Sequence, residues 1–355
     1  MCPDQPRVRA RPWLGLGLRR RLSAQLGSVA GDRPVPLTGG RSALALRLGR
    51  GAAAVVVKIS PVGPPADASA GPTVAQPRPR HAAPARDTAR PIGAAIMATS
   101  FDAPDQRAGH AESCAGGPLF PVDPLLEIRT MARLAPRGMA ARPATAIRHG
   151  TAICLVYPFQ PGRTGRSPGA PLARLLRRLH AVPRTVLAHL PGPPQGRATL
   201  LARACDRLAE EPDGPALAAR IAAAANAARI PPPGGAVPLH GDPVPGNVVH
   251  GPRGVGLIDW HSAHCGDPCH DLALALSPAM QVIHDLPPCD AARRDGFLSA
   301  YGCPATTARF AATVALHHAL MVGHCLWRQA RGDGAYGPAL CAEIAALRAL
   351  PDAEI

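Results

Sequence analysis

The stretch His240-Gly-Asp242-Pro-Val-Pro-Gly-Asn247, continued by Val248-Val-His250, a turn at 251–256 and Leu257-Ile-Asp259-Trp260, decides the fold. It presents an Asp, an Asn five residues later and a second Asp seventeen residues after the first. Two short apolar runs flank the turn, which predicts a hairpin that sets Asn247 beside Asp259. Oxygen ligands that converge with no Cys or His among them suit a hard cation such as Mg²⁺, which completes its shell with phosphate oxygens and water. Asp242 then stands where it can accept a proton from a hydroxyl. A positioned base, a metal clamp and a phosphate-contacting cation are the parts that phosphoryl transfer needs.

Just downstream lies Gly266-Asp267-Pro268-Cys-His-Asp271-Leu-Ala273. With this third motif the chain resembles the aminoglycoside phosphotransferase / choline kinase family of small-molecule kinases, which share the protein-kinase-like fold. The family's catalytic loop reads HGDxxPGN, its metal segment I-D-[WF], and its closing segment G-D-P-x-x-D-L-A. The resemblance implies an α+β, bilobal fold with a small β-rich N-lobe and a larger, mainly helical C-lobe. It implies Asp242 as catalytic base, Asn247 and Asp259 as Mg²⁺ ligands, and structural roles for Asp267 and Asp271. Val244 stands where the family often has a second histidine, and Pro243 where it commonly has leucine.

Upstream residues acquire roles by the same resemblance. Leu37-Thr-Gly39-Gly40-Arg resembles the Gly-containing turn over the phosphates. Lys58 resembles the strand lysine that contacts them, and Glu127 the helix glutamate that pairs with it. Tyr157 to Phe159 resemble the inter-lobe hinge that holds adenine. One compositional fact supports Lys58 independently: it is the only lysine among 39 basic residues. A compact ammonium serves where a broad guanidinium fork does not.

Around these motifs the chain is organised unevenly. Residues 1–33 read as a weakly ordered, Arg-rich tail or, around Leu18–Leu26, a short helix. Ala43–Leu48 and Ala53–Ile59 read as a hairpin about Gly49–Gly51. The N-lobe is expected over 34–60 and 117–158, and the C-lobe over 159–350. Between the two N-lobe pieces, 61–116 holds nine prolines and one aromatic. That composition predicts a disordered insert, because too little apolar surface is available to offset the ordering entropy. Helical spacing marks Leu125–Leu134, Leu172–His180, Leu200–Leu208, Ala216–Ile230 and much of 269–350.

Composition limits the alternatives. The 355 residues carry a formal charge of +15, with 43 prolines, 36 glycines and only 3% aromatics. The arginines do not interleave with aromatics, so no nucleic-acid partner is expected. No apolar run approaches the ~18 residues of a membrane span, and no membrane partner is expected. Ten cysteines are too sparse for a disulfide scaffold, which points to a reducing, cytoplasmic setting. His264, Cys265, Cys269 and His270 offer zinc-type ligands, but they overlap the GDP…DLA motif, and no zinc site is expected. Gly266 follows Asp259 by only seven residues, too few for the peptide-docking segment of a protein kinase.

The resemblance therefore implies an ATP- and Mg²⁺-dependent phosphotransferase that moves the γ-phosphate to a hydroxyl of a small, amine-bearing, cationic acceptor: an aminoglycoside, choline or a thiamine-like alcohol. Asp285, Asp290, Asp295, Asp333 and Glu343 are candidate acids for attracting the amine, each otherwise a solvated surface residue. The rival reading is a degenerate nucleotide-binding protein of the same fold without turnover.

Overall fold

The computed structural model describes residues 16–26, 34–37, 43–61, 118–150 and 152–351. The expectation for the insert falls on residues outside these, Pro61 excepted, as do those for Gly39 and Gly40.

The N-terminal part is an antiparallel five-stranded sheet in the order β1-β2-β3-β5-β4. Its strands are β1 (Val35–Pro36), β2 (Leu44–Leu48), β3 (Val55–Pro61), β4 (Thr145–His149) and β5 (Ala152–Pro158). The hairpin expected about Gly49–Gly51 forms, with Leu46 opposite Val57 and Ala45 opposite Lys58. Alternation along β3 sorts its side chains by face. Val57 and Ile59 enter a cluster with Leu46 and Leu48, whereas Val56 joins the main core on the other side. Lys58 shares the face of Val56, which directs it to the interior.

Helix α1 (Leu16–Leu26) realises the short-helix option for the N-terminal segment. Leu18 and Leu22, one turn apart, are buried in the cluster that holds Val57 and Ile59. Helix α2 (Pro124–Leu134) begins at an Asp123 cap whose carboxylate accepts the N–H groups of Leu125 and Leu126, with Pro124 in the first turn. Both features favour a helix start at this point.

The C-terminal part is mainly helical: α3 (Ala170–His180), α4 (Arg197–Ala209), α5 (Gly214–Arg229), α6 (Cys269–Leu276), α7 (Pro278–Ile283), α8 (Ala291–Tyr301), α9 (Pro304–Gln329) and α10 (Tyr336–Arg348). Two small antiparallel pairs interrupt the helices. β6 (Val237–Leu239) pairs with β9 (His264–Gly266), and β7 (Val248–Gly251) with β8 (Gly254–Leu257). α9 is long and apolar enough to cross a membrane by length and composition, yet 61% of its apolar window is buried inside the protein. Its hydropathy is that of a central core helix, with Ala319, Val322 and Cys325 fully covered. Gly323 permits its close crossing with α4, since a Cβ there would collide with the Leu200 backbone.

Candidate active site

The β7–β8 hairpin forms as the sequence predicts, and the Ile258 N–H donates to the Asn247 carbonyl at 3.0 Å. Asp259 therefore leaves the hairpin one residue beyond the level of Asn247. Its backbone is left-handed, φ 68° and ψ 65°. Such a conformation costs a non-glycine residue of order 1–3 kcal/mol and collects at functional sites.

Lys58 is 4% exposed and Glu127 1%. Lys58 Nζ donates to Glu127 Oε2 at 2.7 Å and to Oε1 at 2.9 Å. It also pairs with Asp259 Oδ1. Burial alone would lower the ammonium's pKa, but the Asp259 and Glu127 carboxylates outweigh it and hold Lys58 above its ordinary value. Burial works to raise Asp259 as well, and there His261 and Lys58 outweigh it, leaving the carboxyl well below the usual range. Glu127 further accepts the Trp260 N–H at 3.3 Å. Glu127 is thus a buried partner and not a solvated residue of its helix.

Asp242 sits on the loop facing this cluster. Asn247 Nδ2 donates to its Oδ2 at 2.8 Å and to its carbonyl at 2.9 Å. Burial and the Asp259 charge push Asp242 well above the ordinary carboxylate range, with the Asn247 hydrogen bond acting the other way. With its amide nitrogen committed to Asp242, Asn247 keeps Oδ1 for another partner. That oxygen and the Asp259 carboxylate form a hard donor set suited to Mg²⁺. Glu127, Asp259 and His261 also bring ligand atoms within 4.8 Å of one another, but there the Lys58 ammonium already balances the charge.

The loop itself is held from behind. Asp271, fully buried, accepts the N–H groups of His240 at 2.8 Å and Gly241 at 2.9 Å. Its Oδ2 also meets His180 Nε2 at 3.1 Å, and His180 Nδ1 meets the Tyr301 hydroxyl at 2.9 Å. Burial opposes ionisation of Asp271, but these donors, His180 foremost, hold its pKa below the ordinary value. Asp267 is anchored by Arg309 Nε at 2.6 Å. Gly241 takes φ 78°, and a Cβ there would strike the Ser262 backbone, so the tight turn into Asp242 requires glycine.

A cleft of about 220 Å³ opens beside Lys58, Asn247 and Asp259, walled by Val56, Tyr157 and Phe159. Tyr157 is buried on β5, and the Phe159 N–H donates to the Ala54 carbonyl at 2.8 Å. Lys58, Asn247, Asp259, Tyr157 and Phe159 thus line one cleft, with Glu127 bonded to Lys58 and Asp242 to Asn247 behind them. Sequence reasoning missed His261, 3% exposed, whose Nδ1 meets Asp259 Oδ1 and lies 3.4 Å from Lys58 Nζ. Its only sequence signal is its place two residues after Asp259. The short helical turn Trp260–Ser262 folds it back onto that carboxylate. His264, Cys265, Cys269 and His270 are not among the grouped metal-type side chains of the described residues.

Comparison with curated protein sequences returns no match. Among solved structures, a choline/ethanolamine kinase family protein from Mesorhizobium loti is similar at 14% identity and TM-score 0.57, over 95% of each chain. The choline kinase LicA from Streptococcus pneumoniae is similar at 14% identity and TM-score 0.53, over 93% of this chain and 97% of that one. Spectinomycin phosphotransferase APH(9)-Ia, in a complex with ADP and spectinomycin, is similar at 12% identity and TM-score 0.53, over 93% of each chain. At these identities the likeness speaks for the kinase-like fold. The sequence model of the phosphotransferase enzyme family matches residues 118–312, more than half of the chain, and the protein belongs to that family.

Proposed function

We propose that this phosphotransferase moves the γ-phosphate of ATP to a hydroxyl of a small, amine-bearing molecule. The observation that carries the reading is the convergence of a buried Lys58–Glu127 pair with Asp259, opposite the Asp242–Asn247 pair, on one cleft. Adenine would lie against Tyr157 and Phe159. Lys58, fixed by Glu127, would contact the phosphate oxygens. Mg²⁺, held by Asn247 and Asp259, would neutralise charge on those oxygens. As the acceptor oxygen bonds to the γ-phosphorus, the bond from phosphorus to the ADP oxygen breaks, and the hydroxyl proton passes to the Asp242 carboxylate. General-base help of this kind is worth ~10²–10⁴-fold.

An acidic group near the loop favours a cationic acceptor. His284 packs against Gly246 of the catalytic loop, and the next residue, Asp285, is exposed. The test is ADP release from ATP and Mg²⁺ with choline, ethanolamine, spectinomycin and hygromycin B, together with the mass of each acceptor. The expected result is acceptor-dependent ADP release and a phosphorylated product with at least one of them. Nucleotide binding without acceptor-dependent release across the panel would favour the degenerate reading.

A further inference from the structure

From the sequence, Glu343 reads as a solvated surface acid. In the structure it is 1% exposed and fully engaged. Oε2 accepts the Ala279 N–H at 2.9 Å and the Ser277 hydroxyl at 3.1 Å. Oε1 meets His318 Nδ1 at 2.7 Å. With Nδ1 committed to Glu343, Nε2 is the ring nitrogen left for another partner. No described residue hydrogen-bonds His318 Nε2.

His318 and Glu343 border a cavity of about 340 Å³ among α6, α7, α9 and α10. It shares no wall residue with the nucleotide cleft. Leu274, Phe310, Val314 and Met321 make much of its wall apolar, and the exposed Arg294, paired with Asp295, also borders it. His270, 3% exposed, also borders it, and its Nε2 has no hydrogen-bond partner. The volume falls at the small end of ligand pockets, roughly 300–1,000 Å³. It exceeds the roughly 150 Å³ of an apolar cavity that accommodates benzene.

We propose that this cavity is a second small-molecule site. Its ligand is a compact, neutral, ring-bearing alcohol or phenol whose hydroxyl, donor and acceptor at once, hydrogen-bonds His318 Nε2. The chemistry selects this class by elimination. An ammonium gains little, because both Glu343 oxygens already hold donors. An anion meets the Glu343 charge, and Arg294 at the wall already pairs with Asp295. A pure hydrocarbon would cover Nε2 without satisfying it, which costs free energy. The site lies against α6, between whose residues His270 and Leu274 stands Asp271, the anchor of the catalytic loop. The inference does not depend on the phosphotransfer reading.

Phenol and toluene, titrated separately into the full chain by ligand-detected NMR, provide the test. Phenol should bind saturably and about fivefold or more tighter than toluene, the effect of one hydrogen bond. Ala346→Phe, which fills the cavity, should abolish saturable phenol binding, and His318→Phe should erase the preference over toluene. Thermal melts of both variants establish that they are folded, and the parent's preference needs no variant at all. Absence of saturable phenol binding, equal binding of toluene by the parent, or undiminished phenol binding by folded Ala346→Phe would overturn the proposal.

Discussion

Two buried or half-buried carboxylates stand on opposite sides of one loop, and they are set up in opposite ways. Asp271 behind the loop takes three donors, from His240, Gly241 and His180, and its pKa is depressed. Asp242 at the front takes a single side-chain donor, from Asn247, and faces Asp259, so its pKa is raised. The donors that stabilise a charge in the ground state make it a good anchor and a poor base. A carboxylate left short of donors beside another negative charge has the reverse character: it costs stability and is ready to take a proton. On the proposed mechanism the loop separates holding, at Asp271, from proton transfer, at Asp242.

Breaking the anchor should show the largest effect on folding. Asp271→Ala leaves two backbone N–H groups and His180 without their acceptor in a fully buried place. Loss of a buried network of this kind costs ~3–5 kcal/mol, read as a large drop in the urea midpoint. A loss below ~1 kcal/mol would deny the loop its anchor.

Next in size is Lys58→Arg. The ammonium fits among Glu127, Asp259 and His261, where a rigid guanidinium fork does not. kcat/KM should fall ~10-fold or more, ~1.4 kcal/mol of transition-state stabilisation, with the fold retained. Unchanged kinetics would leave Lys58 a buried ion-pair partner with no part in contacting phosphate.

A smaller effect follows from pH. Asp271 is depressed in the folded state, so its stabilisation is complete above the unfolded carboxylate value of about 3.9 and is lost as pH falls through the lower folded value. Urea midpoints of the parent should decline below about pH 4, and Asp271→Asn should flatten that decline. Identical slopes for the two chains would assign the acid sensitivity elsewhere.

The smallest effect concerns the insert. Loop length adds only ~0.6 kcal/mol of closure entropy per doubling. Replacing 64–114 by a short Gly/Ser linker should leave the thermal midpoint and ATP affinity nearly unchanged. A large loss of either would make that segment part of the catalytic unit.

What was legible in the sequence follows the same division. The loop His240–Asn247, the pair Ile258–Asp259 and the Gly266–Ala273 segment carry fixed spacings, because each must present atoms to a common point. The β2–β3 hairpin was legible from its valines and its glycine turn. Strands β1, β4, β6 and β9 were not, since each is two to five residues long and is defined by its partner rather than by its own pattern. His261 and the His318–Glu343 pair were missed for a related reason. One depends on a local fold-back after a left-handed Asp259, and the other joins two helices across 25 residues. Glu343 was misread as solvated because an isolated glutamate in an Ala/Leu-rich helix looks like a surface position until its donors are in view.

The most direct measurement sets Asp242→Asn against Asp271→Asn, comparing turnover, ATP affinity and thermal midpoint with the best acceptor. Asp242→Asn should lose at least ~10²-fold in kcat while keeping ATP affinity and midpoint, and Asp271→Asn should lose midpoint first. Asp242→Asn with turnover close to the parent's would contradict the account at its centre.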